Sequence, residues 1–268
     1  MSVPATPSGI LRRALFQLRL FFIALQFFTR LPIPAWVGFE SHWLHLASRY
    51  FPAVGIVVGA AAALVFLAAD AVLPTLPAVL LSTAAGIYLT GAFHEDGFAD
   101  TCDGLGGGTT RDRVLEIMTD SRIGTYGALG IGLLLAAKVA ALAHLPAQLV
   151  APVLVAAHPL SRLLSTALIW KLDYVKGSGK AKPLAQRISN GEFAIALGSV
   201  ALTVAALVAA GLLAWQALVA GLIAAALAAA WLARKCVLRI GGYTGDCLGA
   251  VQQLSEAAFY IGVLALVT

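Results

Sequence analysis

Long apolar runs separated by short polar breaks dominate the 268-residue chain. A run of about 20 apolar residues is the length a helix needs to cross a bilayer. On that pattern spans are expected at residues 51–69, 71–93, 123–145, 148–170, 193–215, 217–233 and 249–267. The chain therefore reads as an all-α polytopic membrane protein, one integral-membrane domain over 1–268 with about seven transmembrane helices (range six to eight). Residues 1–9 are small and polar with two prolines and are expected to be disordered. Residues 10–28 carry Arg12, Arg13 and Arg19 among Leu, Phe and Ile, which favours an interfacial helix over a short first span. Arg19 comes too early in that run for a cleavable leader. Residues 10–50 together form an amphipathic, interfacial segment. Pro32 and Pro34 break its helix, and Trp36, Trp43 and Tyr50 suit the membrane boundary. Pro74, Pro77, Pro152 and Pro159 predict kinks or breaks in the second and fourth spans. Gly198, Gly211 and Gly221 suit close helix contacts.

Charge supplies a topology. The breaks at Asp70, near Pro146 and at Gln216 hold no Lys or Arg, whereas those at 94–122, 171–192 and 234–248 hold eleven, Arg111 and Lys180 among them. Alternate basic and non-basic loops are what hairpins with one cytoplasmic face produce. The net charge of +5 is then a topology signal, and nucleic acid is not an expected partner. Lys138, deep in the third run, is expected to snorkel to the outer interface. Cys102, Cys236 and Cys247 form no CxxC pair, so a zinc site or disulfide frame is not expected, and Cys102 reads as a packing residue.

One stretch breaks the apolar pattern. Seven of the 13 acidic residues lie between Glu95 and Asp120. If residues 94–104 are helical, Asp96, Asp100 and Asp103 fall at i, i+4 and i+7, within roughly 60° of helix surface. Glu95 sits at the margin of that stripe. Like charges so placed repel, and Mg²⁺ shared with substrate phosphates is the usual solution. The rival is a merely solvated acidic face, which the apolar residues before it disfavour. Residues 104–110 read as a glycine-rich turn without a P-loop ending.

Other polar groups add to the candidate site. Asp120 and Arg122 open the third span, where Arg122 can pair with Asp120 or hold a phosphate, and Asp120 can add to the metal site. Their plain reading is a cap and an interfacial arginine. His158 and Arg162 lie inside an apolar span, where a charge signals function or a structural ion pair. Arg162 is expected to reach an acidic or phosphate-bearing centre. The basic loop 171–187 could gather a polyanion or simply fix topology. Asp246 is a candidate ligand or base, and Glu256, in an apolar helix, needs a partner.

The stretch His94-Glu95-Asp96-Gly97-Phe98-Ala99-Asp100-Thr101-Cys102-Asp103-Gly104 resembles the signature of the cobalamin synthase (adenosylcobinamide-GDP ribazoletransferase) family. Residues 26–34, 120–127 and 242–250 resemble it too, and the likeness runs from about residue 20 over the rest of the chain. It implies a Mg²⁺-dependent transferase of the bacterial inner (cytoplasmic) membrane with its active site facing the cytoplasm. In that family α-ribazole, or its 5′-phosphate, attacks the phosphate attached to cobinamide in adenosylcobinamide-GDP. GMP leaves, and adenosylcobalamin or its phosphate forms. Asp96, Asp100 and Asp103, with Glu95 at their edge, are then the expected metal ligands. One of the aspartates or His94 is the expected proton acceptor, and Arg122 and Arg162 are the expected phosphate clamps, with Asp120 and Asp246 nearby. A homo-oligomer, or docking of other cobalamin-assembly enzymes, is left open.

Two other readings stand beside this one. The start of the motif is similar to CDP-alcohol phosphotransferases, but Asp100 replaces the Arg that family carries. A cation transporter needs acidic groups near mid-membrane over several spans. Here they cluster at a helix end beside basic loops.

Overall fold

In the structure, a computed structural model, residues 9–175 and 187–267 are described. Eleven α-helices follow one another: α1 Gly9–Phe28, α2 Ser41–Ala47, α3 Phe51–Asp70, α4 Thr75–Thr90, α5 Phe93–Gly107, α6 Arg111–Ile117, α7 Thr125–His144, α8 Ala147–Lys171, α9 Asn190–Ala209, α10 Trp215–Ile240 and α11 Gly245–Val267. Among the described residues the only extended pairing is a single parallel bridge between Tyr174 and Tyr243. The all-α polytopic class is therefore observed.

Among the described residues six helical stretches are long and apolar enough to cross a membrane, and the bent pair α4–α5 makes seven if taken as one span. The first of them runs from His42 to Asp70, because α2, a short 3₁₀ turn and α3 follow without a break. α1, with its three arginines, is not among them. Its second half is buried through Leu20, Ile23, Ala24, Leu25 and Phe28, while Ile10, Leu11 and Leu15 near its start stand exposed. The Arg19 guanidinium lies over the rings of Trp36 and Trp43, which folds the segment after the Pro32–Pro34 break back along α1.

The prolines do not break the chain where expected. Pro152 and Pro159 both lie inside an uninterrupted α8. Pro74 precedes α4 and Pro77 falls in its first turn, positions that need no intrahelical N–H bond. The break comes instead at Gly91 and Ala92, which take left-handed conformations with φ of 66° and 58°. Glycine does so freely and alanine at some cost. The two residues turn the axis by 89° between α4 and α5. The acidic helix is therefore not the tail of the second span. It is a separate helix set at 89° to α4, and its first residues sit where α1, α3 and α11 meet. Phe27, Phe28, Phe51, Phe93 and His94 close that junction with mutual ring contacts.

Of the three glycines expected at helix contacts, only Gly221 meets another helix, against Phe259 and Val263 of α11. Gly198 and Gly211 face open space.

Candidate active site

The acidic stretch folds as the i, i+4, i+7 spacing requires. α5 runs to Gly107, so most of the glycine-rich segment expected to be a turn is the end of this helix. Arginine side chains explain why glycines stay helical here. Arg239 donates to the carbonyls of Leu105 (3.1 Å) and Gly108, and Arg111 donates to the Ile240 carbonyl at 3.0 Å. The carbonyls left over at the ends of α5 and α10 thus find cationic donors. These contacts draw the basic segments around residues 111 and 239 to the same end of the molecule as α5. Lys176, Lys180 and Lys182 of the basic loop lie outside the described residues.

The stripe itself is graded in exposure. Asp96 is exposed, Asp100 half-buried and Asp103 buried. The Asp103 carboxylate accepts from the backbone N–H of Gly124 at 2.7 Å and of Gly127 at 2.8 Å. It caps α7 from another helix, pinning α5 to the first turn of the third span. That first turn has no capping side chain of its own, and an anionic acceptor suits the positive end of a helix. Asp246 enters from the other flank. A side chain on Gly97 would come within 2.9 Å of the Asp246 carbonyl oxygen, so only glycine lets the start of α11 lie this close. Gly97 and Asp100 are roughly 60° apart around a helix, which puts Asp246 at the edge of the stripe.

Beyond Asp103 lies an open groove of about 690 Å³, bordered by Arg113, Asp120, Arg122 and Tyr126. Arg122 grips Asp120 with two nitrogens, its Nη2 at 2.7 Å, and its backbone N–H donates as well at 3.1 Å. These hydrogen bonds hold the Asp120 carboxyl at about 2, below its usual range. The pair is exposed, so Arg122 can change partners at little cost.

Three expected site residues face elsewhere. Glu95 is buried behind the stripe, where its Oε1 accepts from Gln253 Nε2 at 2.8 Å. His94 is buried and stacks on Phe28. Arg162, expected to reach a phosphate, is 2% exposed and donates to the His158 carbonyl one turn earlier at 3.0 Å. For His94 and Glu95 the physical reason is the 89° turn before α5, and for Arg162 it is a place on the buried face of α8. The turn directs one face of α5 to solvent and the opposite face onto α11 and the bundle.

Glu95 and Arg162 instead belong to a second polar centre that the sequence reading divided among unrelated positions. Lys138 does not snorkel. Its ammonium lies 2.6 Å from Glu256 and 3.0 Å from Gln253 Oε1, in the interior. Glu256 also accepts from Gln252 at 2.7 Å and from the Tyr260 hydroxyl at 2.9 Å. His158 stands 3.4 Å from the same carboxylate. The signal for this centre was already in the sequence, as a mid-span lysine and a mid-span glutamate each lacking an evident partner.

The donor set on α5 suits Mg²⁺ in one particular way. No group of three His, Cys, Asp or Glu side chains among the described residues is disposed as a ready-made metal cage. Asp96, exposed, and Asp100, half-buried, nonetheless offer hard oxygen donors one turn apart. Mg²⁺ is commonly held by one or two carboxylates together with substrate phosphates and water.

A bundle of membrane-length helices carrying an aspartate-striped helix beside a groove edged with arginine defines a multi-pass membrane protein with acidic and basic groups gathered at one end. The family described as Cobalamin-5-phosphate synthase matches residues 20–264. The chain belongs to that family. A relative from Leptothrix cholodnii, named adenosylcobinamide-GDP ribazoletransferase, is 50% identical over 260 residues, covering 93% of this chain and 96% of its own. Relatives of the same name from Shewanella frigidimarina and Vibrio parahaemolyticus are 44% and 42% identical, each over 93% of this chain and over 95% and 93% of their own lengths. No solved structure matches the chain.

Proposed function

We propose that the chain is an adenosylcobinamide-GDP ribazoletransferase that performs its phosphate transfer at the solvent side of α5, with Mg²⁺ as cofactor. The observation that carries the site assignment is the Asp96–Asp100 face, exposed at Asp96 and half-buried at Asp100, of a helix fixed on both flanks, by Asp103 on α7 and by Gly97 under Asp246. The activity itself follows from family membership and from relatives sharing up to half of the sequence.

A hydroxyl of α-ribazole, or of its 5′-phosphate, attacks the phosphorus bonded to cobinamide. The P–O bond to the GMP unit breaks and GMP leaves with the electron pair. Asp96 and Asp100 would hold Mg²⁺, which when bound offsets the charge on the pyrophosphate and the departing phosphate. Asp103, with both oxygens on backbone N–H groups, orients the stripe and is the least available of the three as a ligand. Arg122, released from Asp120, would take a phosphate oxygen in the groove, since a guanidinium meets phosphate as it meets carboxylate. The hydroxyl proton goes to one of the aspartates of the stripe rather than to His94, which stacks against Phe28 on the inner face. Asp246 borders the stripe where the substrate's far end would lie.

We place the protein in the bacterial inner membrane with α5 on the cytoplasmic side. The arginines around its C-terminal end, Arg111, Arg113, Arg122 and Arg239, support that orientation. The test is conversion in lipid nanodiscs. Adenosylcobinamide-GDP and α-ribazole should give GMP and corrinoid product one for one, and a chelator should stop both. Absence of conversion by folded protein supplied with Mg²⁺ contradicts the assignment.

A further inference from the structure

The buried centre behind α5 has polar atoms left over. Glu95 Oε2, Gln252 Oε1 and Arg162 Nε are sealed from solvent and find no hydrogen-bond partner among the described residues. Their residues are only 8%, 1% and 2% exposed. All three side chains line one cavity of about 30 Å³ that also reaches Lys138, His158 and Glu256. Unpaired polar atoms in so dry a place are costly, and three sharing one cavity point to a ligand.

The chemistry of the atoms narrows that ligand. Two are acceptors and one is an N–H donor. Formal charge is already balanced, with Glu95 and Glu256 against Lys138 and Arg162, so the cavity requires neither a cation nor an anion. A cation could satisfy the two acceptors, but it would face the Arg162 guanidinium. Water matches all three atoms in chemistry, since it can donate to Glu95 Oε2 and Gln252 Oε1 and accept from Arg162 Nε. Buried waters typically make about three such bonds, and a cavity of this size holds about one or two of them.

We propose that a buried water held by Glu95, Gln252 and Arg162 latches α5 to the spans behind it, so that Glu95 is a positioning residue for the aspartate stripe and not a ligand within it. The latch continues through ordinary hydrogen bonds. Glu95 takes Gln253, Gln253 takes Lys138, Lys138 takes Glu256, and Glu256 takes Tyr260. Gln252 adds Ser161 of α8 at 3.0 Å. Spans α7, α8 and α11 thus hold the inner face of a helix whose outer face carries Asp96 and Asp100. The consequence for turnover rests on the transferase reading; the latch itself does not.

Two measurements test it. A density map of the protein in lipid nanodiscs, at a resolution that shows ordered water, should hold a peak within hydrogen-bonding distance of all three atoms. An empty gap, or a peak in an ion-type oxygen cage, overturns the proposal. Amide hydrogen exchange then reads the latch without reference to activity. Glu95→Gln and Arg162→Gln each leave one buried charge uncompensated, and each should speed exchange across α5 by about tenfold or more while α9 stays unchanged. The double variant restores neutrality but removes two of the three groups that hold the water, so its α5 should still exchange about threefold or more faster than in the starting protein. Single variants that leave α5 protected, or a double variant as protected as the starting protein, overturn the latch. If a single variant fails to fold, the map and the double variant still decide. Loss of transfer without faster α5 exchange would instead make Glu95 part of the reacting site.

Discussion

The Lys138 ammonium and the Glu256 carboxylate lie 2.6 Å apart with side chains 7% and 1% exposed, between two spans far apart in the chain. Removing one charge leaves the other buried, which costs about 3–5 kcal/mol. Lys138→Met and Glu256→Gln should each lower unfolding stability in detergent by that order. The double variant should lose clearly less than the sum, because no lone charge remains. Additive losses would show that the two charges do not meet.

Asp103 is the carboxylate whose role divides between fold and chemistry. Asp103→Asn swaps one of its two acceptor oxygens for an amide that cannot accept from Gly124 or Gly127. A loss of about 1–2 kcal/mol in thermal stability is expected, together with reduced turnover. Asp96→Asn and Asp100→Asn should both reduce turnover, and exposed Asp96→Asn should leave stability nearly unchanged. Thermal unfolding and activity measured on the three proteins side by side separate the roles.

Gly97 sets how closely α11 approaches the stripe. Gly97→Val adds three carbons where a single one would already lie 2.9 Å from the Asp246 carbonyl. Overpacking of this kind costs about 1–3 kcal/mol. Turnover should fall with stability, and a cysteine crosslink probe between the start of α11 and α5 should report a wider gap. Unchanged stability would mean that the two helices are not in contact.

The Asp120–Arg122 pair makes a statement about pH. Asp120 holds its proton less tightly in the folded protein than in the unfolded chain, with a pKa of about 2 against 3.8. A depressed carboxyl favours the folded state above the unfolded value and loses that contribution as pH falls toward about 2. Asp120 therefore stays ionised across the range in which the enzyme can be assayed. The ratio of Asp120→Asn to unmodified turnover should be flat from about pH 5 to 8. A ratio that bends near pH 4–6 would place its titration there and contradict the pairing with Arg122.

The spans were legible from the chain because an uninterrupted apolar run of sufficient length has few other folded uses. The aspartate stripe was legible because helical period alone puts Asp96, Asp100 and Asp103 on one face. The turn before it was not. Gly91 and Ala92 sit inside an apolar run, and only the left-handed backbone there reveals the 89° bend. Everything that depends on that bend was out of reach as well. Glu95 looked like the margin of a metal stripe because its side of α5 cannot be assigned without knowing where the bundle lies. Arg162 and Glu256 each signalled a partner and Lys138 read as a snorkelling lysine, but helical period says nothing about which span supplies a partner. The capping of α7 by Asp103 was hidden for the same reason, since the donors lie on another helix.

Turnover against free Mg²⁺ in Asp100→Asn tests the central claim most directly, because it joins the family activity to the exposed face of α5. In the unmodified protein, conversion of adenosylcobinamide-GDP should require Mg²⁺. In Asp100→Asn the half-saturating Mg²⁺ concentration should rise by about tenfold or more, and the maximal rate should fall by about a hundredfold, while the helical fold persists. Turnover with the same rate and the same Mg²⁺ dependence as the unmodified protein would contradict the account and move the phosphate chemistry away from α5.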